Sequence, residues 1–346
     1  MLVGSVLGSA ISGKASEQDS LVQHEEGGFN PGTMIVEHVI DAHEWHIMTI
    51  GHRHVSLPLP VILYHSGKLD IFMSSEFQHG HESYRGYKLE TAGENKGKIV
   101  MEVSGEIPLD LSITKNVAAM LISMLLICII FISIGRSYTR RKSQAPKGIQ
   151  SLIEPLILFI RDDVVKASIG EKRYEKYLPY LLTLFFFIFF NNLLGLVPFF
   201  PGGANLTGNI AVTMVMALFT FVITSFSGNK GYWIHIINTP GVPWWLKIPV
   251  PLMPIVELMG VFTKPFVLMV RLFANITAGH IIVLGFMSLI FIFGNISPAI
   301  GYGVSIVSVA FAVFMGLLEL LVAFIQAYVF TLLSSLYFGM ATEEHH

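Results

Sequence analysis

The chain has 346 residues, of which 53% are hydrophobic and only 13% are charged, and its mean hydropathy is +0.62. Soluble domains carry about 25% charged residues, so this composition excludes a soluble enzyme and a disordered or coiled-coil protein. The formal net charge of −2 provides no basic surface for nucleic acid, and the single cysteine, Cys128, excludes an intrachain disulfide.

The charged residues divide the chain into two unequal parts. Residues 1–176 hold 18 of the 22 Lys and Arg residues and 20 of the 24 Asp and Glu residues. The second half therefore consists mainly of long apolar segments. The sequence predicts a hydrated first part followed by a membrane-embedded part.

The first part contains two stretches of different character. Residues 1–20 begin with a short apolar run that lacks the basic residues usual in a signal peptide, so they could be a signal peptide or a flexible terminus. Residues 21–115 are polar, hold nine of the 13 histidines, and show short β-type runs separated by the turn sequences HSGK and AGENKG. We expect a small β-rich domain here, outside the membrane.

The histidines of this stretch raise the question of a metal site. His52 and His54, like His79 and His81, are spaced so that each pair could share one strand face. No cysteine accompanies them, and the nearby carboxylates have no recognisable ligand spacing. A solvated histidine-rich surface is therefore favoured over a metal site.

The membrane domain is expected over residues 116–342. The apolar segments predict five spans, at about 117–135, 178–200, 210–226, 250–293 and 299–340. The last two are too long for a perpendicular crossing, so each either folds into two spans or forms one steeply tilted helix. Neither contains an internal turn with several charges, which favours tilt. The predicted fold class is an all-α polytopic membrane protein with a hairpin of two long tilted helices and a β-rich extramembrane domain.

The orientation follows from the basic residues between the first two spans. Residues 136–176 carry ten Lys and Arg residues, and residues 149–165 have an amphipathic pattern typical of a helix on the membrane surface. The positive-inside rule places this segment in the cytoplasm. The β-rich domain is then outside, and the C-terminus is in the cytoplasm.

Several ionisable residues lie inside apolar sequence, where burial costs at least about 2.5–3.5 kcal/mol each. Arg271 is the clearest case, because a guanidinium keeps its proton at any physiological pH. Asn275 lies on its helix face four residues later, and Glu257 and Lys264 precede it at intervals of seven. A structural ion pair near the cytoplasmic interface would explain Glu257 and Lys264 about as well as a functional role.

Two further polar groups can exchange protons. His280 lies on another face of the same helix, and Glu319 shares a face of the last helix with Gln326. His280 and Glu319 are candidate proton relays. Taken singly, each could equally be a packing residue, a hydrogen-bonded histidine or a protonated glutamate. Together with Arg271 they form a set that packing alone does not explain.

Four segments then resemble a known family. These are NNLLGLVPF (191–199), ELMGVFTKPF (257–266), RLFANITAGH (271–280) and ELLVAFIQAYVFTLLSSLYFGMA (319–341). They are similar, in order, to segments of subunit a of the rotary F-type ATP synthase, the stator half of its membrane proton channel. The resemblance covers roughly residues 115–342, and residues 21–115 are not part of it.

The resemblance implies roles for individual residues. Arg271 matches the family's essential arginine, which faces the rotating ring of c subunits, and Asn275 and Gln326 match polar residues near it. His280 and Glu319 match a pair in the half-channel that leads from the outside, although the order of acid and imidazole along the chain is reversed in some members.

Three further positions match the family less closely. Glu257 and Lys264 match residues associated with the cytoplasmic exit, and Asn192 matches a polar position on the second span. Some members have a carboxylate where this chain has Gly195, so the second span is not expected to have a strong relay role.

The resemblance also implies partners and a location. They are the c-subunit ring, the peripheral-stalk b subunits and the rest of the F1Fo complex, in the bacterial inner membrane. No cofactor is implied, and ATP would be made by other subunits, so the chain alone is not expected to be an enzyme. Two alternatives remain: a stand-alone secondary transporter or antiporter, against which no internal repeat is found, and a membrane scaffold. The choice between protons and sodium ions depends on ring residues in other chains.

Overall fold

The chain contains two distinct parts. The computed structural model describes residues 41–50, 53–91, 93, 95–140, 145–197, 200, 202–237 and 252–343, together with Gly32. Residues 41–114, called the β region below, form small sheets, and long apolar helices follow them. Residues 1–20, His52 and the side chain of His54 lie outside what the structure describes.

The β region contains seven strands among its described residues. They are β1 (Glu44–Ile50), β2 (Arg53–Pro58), β3 (Pro60–His65), β4 (Lys68–Met73), β5 (Tyr87–Leu89), β6 (Ile99–Met101) and β7 (Leu109–Asp110). Strands β1 and β2 pair, β3 lies between β4 and β7, and β5 pairs with β6, all antiparallel. The predicted β-rich character is confirmed.

The predicted HSGK turn joins β3 to β4. His65 pairs with Lys68, and the two residues between them, Ser66 and Gly67, have φ of 49° and 82°. Two positive φ values are typical of the type I′ turn, which matches the twist of the flanking strands. Below this hairpin lies a small apolar core, formed by Val61, Leu63, Phe72, Phe77, Tyr87 and Ile99.

The helices follow in chain order. They are α1 (Lys115–Arg140), α2 (Ile149–Phe159), α3 (Tyr174–Leu196), α4 (Ile210–Ser227), α5 (Lys230–Ile237), α6 (Leu252–Ile296) and α7 (Pro298–Thr342). Among the described residues, α1, α3, α4, α6 and α7 are long and apolar enough to cross a membrane, which confirms the predicted fold class. Helix bounds differ from the apolar segments by a few residues, because helices such as α1 and α3 begin in flanking polar sequence. Helix α3 ends before Pro198, because the helical conformation is disfavoured for the residue that precedes a proline.

Each of the two long apolar segments forms one helix. Helices α6 and α7 have 45 residues each, or about 68 Å at 1.5 Å per residue, against a hydrocarbon core of about 30 Å. Only Ser297 separates them. Gly301 lies against the backbone of Gly294, and the rings of Phe286 and Phe311 stack with centroids 5.2 Å apart. These contacts show an antiparallel hairpin of two long helices.

The main core of the membrane part surrounds helix α3. Its buried phenylalanines pack against α1 and α7, and the rings of Tyr177 and Phe338 lie 5.1 Å apart. The outward faces of α6 and α7 keep many large apolar side chains exposed, including Phe262, Phe266, Phe314 and Leu317. Such a surface is stable only against lipid or other apolar helices.

Candidate functional site

The hairpin brings the two predicted relay residues into contact. His280 of α6 and Glu319 of α7 are hydrogen-bonded through Nδ1 and Oε1, although 39 residues separate them in sequence. The Glu319 side chain is 8% exposed and the His280 side chain 20%. A buried carboxylate is stable only with such a partner. An acid and an imidazole in contact can pass a proton between them.

Two glycines leave the space that this pair occupies. A Cβ on Gly279 would lie 2.9 Å from Oε1 of Glu319, closer than a Cβ atom approaches another heavy atom in real structures. Gly195 of α3 borders the pair from the other side, since its Cβ position is 4.0 Å from Nε2 of His280. Position 195 therefore lies at the pair, although glycine itself carries no ionisable group.

Asn192 connects the segments that lie near Glu319. Its side chain is buried, accepts a hydrogen bond of 2.6 Å from the Thr207 hydroxyl, and donates one of 3.1 Å to the carbonyl of Ala323. Ala323 lies one helical turn beyond Glu319. Thr277 of α6 contacts the same loop through the carbonyl of Gly208, at 3.5 Å. Asn192 therefore links α3, α7 and the loop of residues 202–209.

A second polar site lies toward the other end of the hairpin. The Lys264 ammonium is 5.4 Å from the centroid of the Tyr337 ring. A small cavity of about 10 Å³, room for about one water molecule, is lined by both residues and by Thr224, Ser225 and Tyr232. None of the described residues that line it is a carboxylate.

Glu257 supplies the negative charge near this cavity. Its charge interacts with the Lys264 ammonium and with Tyr232 of α5. Burial and the nearby Glu257 carboxylate raise the pKa of the half-buried Tyr232 phenol above its usual range. Lys264 thus has both a carboxylate and an aromatic ring close by, although no described ion pair joins Lys264 to Glu257.

Arg271 lies between the two polar sites along α6. Its side chain and that of Asn275 are exposed on the helix surface, and Arg271 makes no hydrogen bond or ion pair with the described residues. It is close enough to Tyr337 to interact with it electrostatically. Gln326, which is buried, lies between Glu319 and Tyr337 on α7, at the same level of the hairpin as Arg271.

Two of the described histidines of the β region each contact a carboxylate. His43 contacts Asp110 at 2.7 Å, and His79 contacts Glu44 at 2.6 Å. Burial alone would raise the pKa of Asp110, but hydrogen bonds from His43 and Ser112 outweigh it and hold that pKa below its usual range. Among the described residues, no group of three or more His, Cys, Asp or Glu is arranged to hold a metal ion.

Comparison with known proteins decides the family. Residues 117–339 match the family model described as ATP synthase A chain. The chain belongs to this family. It is 48% identical over 248 residues to ATP synthase subunit a 2 of Chlorobaculum tepidum, covering 70% of this chain and 66% of that protein. It is 46% identical over 254 residues to ATP synthase subunit a of Chloroherpeton thalassium, covering 71% of each.

Membership of the ATP synthase A chain family confirms the resemblance, and the apolar helices make the chain an integral membrane protein. The matched segment spans just under two thirds of the Chlorobaculum relative. Residues 34–118 match a second family model, described only as a domain of unknown function. The β region is therefore a recognisable unit beside the A chain match.

Sequence reasoning missed several residues that the structure brings to the two polar sites. Thr207 bonds to Asn192, Gly279 borders Glu319, and Tyr232 and Tyr337 line the cavity beside Lys264. Tyr337 lies within the quoted family segment 319–341, so it could have been singled out there. Thr207 carried no signal, because a threonine in a polar loop has no distinctive spacing.

Proposed function

We propose that the chain is the proton-conducting stator subunit of a rotary F-type ATP synthase. It provides two offset half-channels that load and unload carboxylates on a rotating ring of c subunits. The observation that carries this proposal is the order of groups along the hairpin: a contacting acid and imidazole, then an exposed arginine, then a second polar cavity. Family membership supports the same function, since the relatives carry the name ATP synthase subunit a.

The first half-channel runs past Glu319 and His280. A proton from the outside reaches this pair, and the pair passes it to a ring carboxylate. A carboxyl group and an imidazole in contact provide both a donor and an acceptor for such a transfer. Asn192 and Thr207 keep the wall of this path fixed, because their hydrogen bonds tie three elements together.

The second half-channel leads from the ring to the cytoplasm. Lys264, Glu257 and the lining of the small cavity provide its polar surface. A proton leaving a ring carboxylate enters this path after the ring has made almost a complete turn. The ring site is neutral during that turn, because carrying a charge through lipid would cost at least about 2.5–3.5 kcal/mol.

Arg271 separates the two half-channels. Its fixed charge attracts an ionised ring carboxylate and repels a proton that would otherwise pass directly between the two paths. Asn275 and Gln326 supply polar surface around this contact. Direct passage would discharge the gradient without rotation, so the arginine couples proton flow to ATP synthesis in the catalytic subunits.

The charge distribution supports an orientation in the membrane, and the exposed apolar faces support the partners. The basic segment 136–176 supports a cytoplasmic location for the C-terminal end of α1 and the N-terminal end of α3, by the positive-inside rule. The β region then lies in the periplasm of a bacterial cell. The exposed apolar faces of α6 and α7 suit contact with the c ring and lipid. The peripheral-stalk b subunits and the catalytic head complete the complex.

Copurification tests this function against a stand-alone transporter. We expect the chain, tagged and purified in mild detergent from its native membranes, to bring down a ring of small hydrophobic subunits and an ATPase. Purification of the chain alone, together with ion exchange by the chain in vesicles, would contradict the proposal.

Gly279 provides a test of the relay pair by a single added methyl group. In Gly279→Ala the new Cβ would press on the Glu319 carboxylate and displace it from His280. We expect ATP-driven proton pumping in inverted vesicles to fall by between about threefold and 10²-fold, since misplacement by 1 Å can cost that much. Gly285→Ala is the matched control, because nothing lies within 4 Å of its Cβ position. Equal pumping by the two variants would show that the carboxylate position is unimportant.

A further inference from the structure

The β region is anchored on the membrane helices through Trp45. This side chain is 3% exposed, meets the ring of Phe200 edge-on at 5.1 Å, and packs with Leu59, Ala119 and Ala204. A buried tryptophan of this kind contributes more apolar contact than any other single side chain. The β region is therefore attached both to α1, through Ala119, and to the connection between α3 and α4.

Backbone contacts fix the same junction. The Lys115 amide donates to the carbonyl of Ala42 at 2.8 Å, and the Asn116 amide donates to the Asp41 carboxylate at 3.0 Å. The first turn of α1 is thereby capped by residues that precede β1. The β region is thus held to the membrane part by hydrogen bonds as well as by Trp45.

The loop beneath Trp45 is buried to an unusual degree. Connecting loops normally run over the surface, yet six of the seven residues between 202 and 208 are buried. Among them, Asn205 is 3% exposed and Thr207 is 1% exposed. The loop is enclosed between the β region and the ends of the membrane helices.

The opposite side of this loop faces the relay pair. The Ala204 carbonyl lies 3.5 Å from the Cβ position of Gly195, which in turn is 4.0 Å from Nε2 of His280. Thr207 bonds to Asn192, and Thr277 contacts Gly208. Ala204 thus contacts Trp45 on one side and borders the wall of the His280 site on the other.

We propose that the β region is a positioning element for the outer half-channel: Trp45 clamps the loop of residues 202–208 against the His280–Glu319 pair and thereby sets how protons reach it. This inference rests on the proposed function. Releasing the clamp lets Thr207 separate from Asn192 and admits water to the pair by a different route. The protonation of the pair from the outside then changes, whereas the cytoplasmic path beside Lys264 stays as it is.

Side-specific pH profiles of the whole complex test the inference. Wild type and Trp45→Ala are reconstituted in vesicles, and ATP synthesis driven by an imposed gradient is measured while the pH is varied on one side at a time. We expect Trp45→Ala to lower the rate of ATP synthesis several-fold. The pH profile measured on the β-region side should shift, and the profile measured on the opposite side should stay as in wild type. The ATPase activity of the detached catalytic head should remain unchanged, and Trp45→Phe should restore most of the rate.

One further variant is a control, and another tests the same contact from its other side. Tyr64→Ala removes an aromatic side chain that is 46% exposed on the β region, and it should leave both profiles as in wild type. Phe200→Ala removes the other half of the aromatic contact from a 43% exposed position, and it should shift the same profile as Trp45→Ala. Phe200→Ala decides the question if Trp45→Ala does not assemble.

The possible outcomes separate the two proposals. Unchanged profiles in assembled Trp45→Ala and Phe200→Ala, or equal shifts on both sides, would overturn the positioning role. Absence of gradient-driven synthesis in the wild-type complex would instead contradict the proposed function. A shift of the pH profile that is confined to the β-region side in these variants supports the positioning role and the proposed function.

Discussion

Replacing Arg271 with alanine is expected to abolish ATP-driven proton pumping while the complex remains assembled. The guanidinium is exposed on α6 and makes no hydrogen bond or ion pair with the described residues, so its removal leaves no buried partner unsatisfied. In the proposed mechanism this variant loses the fixed charge between the two half-channels, and with it the site that attracts the ionised ring carboxylate. We expect pumping to fall by roughly 10²-fold or more, as when a preorganised charge is removed from a reacting site.

The control for Arg271→Ala lies one turn earlier on the same helix. Val267 is 37% exposed, and Val267→Ala shortens an apolar side chain without changing a charge. Pumping is measured by the quenching of a pH-sensitive dye in inverted vesicles that contain equal amounts of complex. Wild-type pumping by Arg271→Ala would show that the arginine is structural and that the half-channels are separated by other means.

Replacing Glu319 with glutamine is expected to produce the second large effect. Glutamine keeps the size of the side chain and can still hydrogen-bond to His280, but it cannot release a proton. We expect pumping to fall by roughly 10²-fold, at the lower end of what positioned proton-transfer groups contribute. Glu343→Gln, at the end of α7, is the matched control because it removes the same charge away from the hairpin contacts.

A double variant separates a proton relay from a structural contact. If His280 and Glu319 act on one proton, Glu319→Gln combined with His280→Gln should be no slower than the worse single variant, since residues of one network are not additive. Additive losses would indicate two independent roles. Wild-type pumping by Glu319→Gln would exclude the carboxylate from the path.

The architecture of the membrane part could largely be predicted from the sequence. Hydropathy is a local property, so the five apolar helices were evident without knowledge of packing. The absence of charged turns within the long segments correctly favoured one helix each for α6 and α7. The exposure of Arg271 beside Asn275 also agrees with their spacing of four residues.

The contacts between distant segments could not be predicted in the same way. Helical spacing shows which residues share a face, but not which face of another helix they meet. The bond between Thr207 and Asn192 depends on how the loop folds back on α3. The approach of Tyr337 to Lys264 depends on the register of the hairpin. The anchoring role of Trp45 was missed for the same reason, because its partners on the membrane part, Ala119, Phe200 and Ala204, are distant in sequence.

The proposal of two half-channels is tested most directly by measuring from which side of the membrane each polar site can be reached. Single cysteines are introduced by Thr277→Cys, next to the relay pair, and Ser225→Cys, in the lining of the second cavity, in a Cys128→Ser background. A membrane-impermeant thiol reagent is added from one side at a time to the assembled complex. We expect Thr277→Cys to react only from the side of the β region and Ser225→Cys only from the opposite side. Reaction of both cysteines from the same side would contradict two separate half-channels.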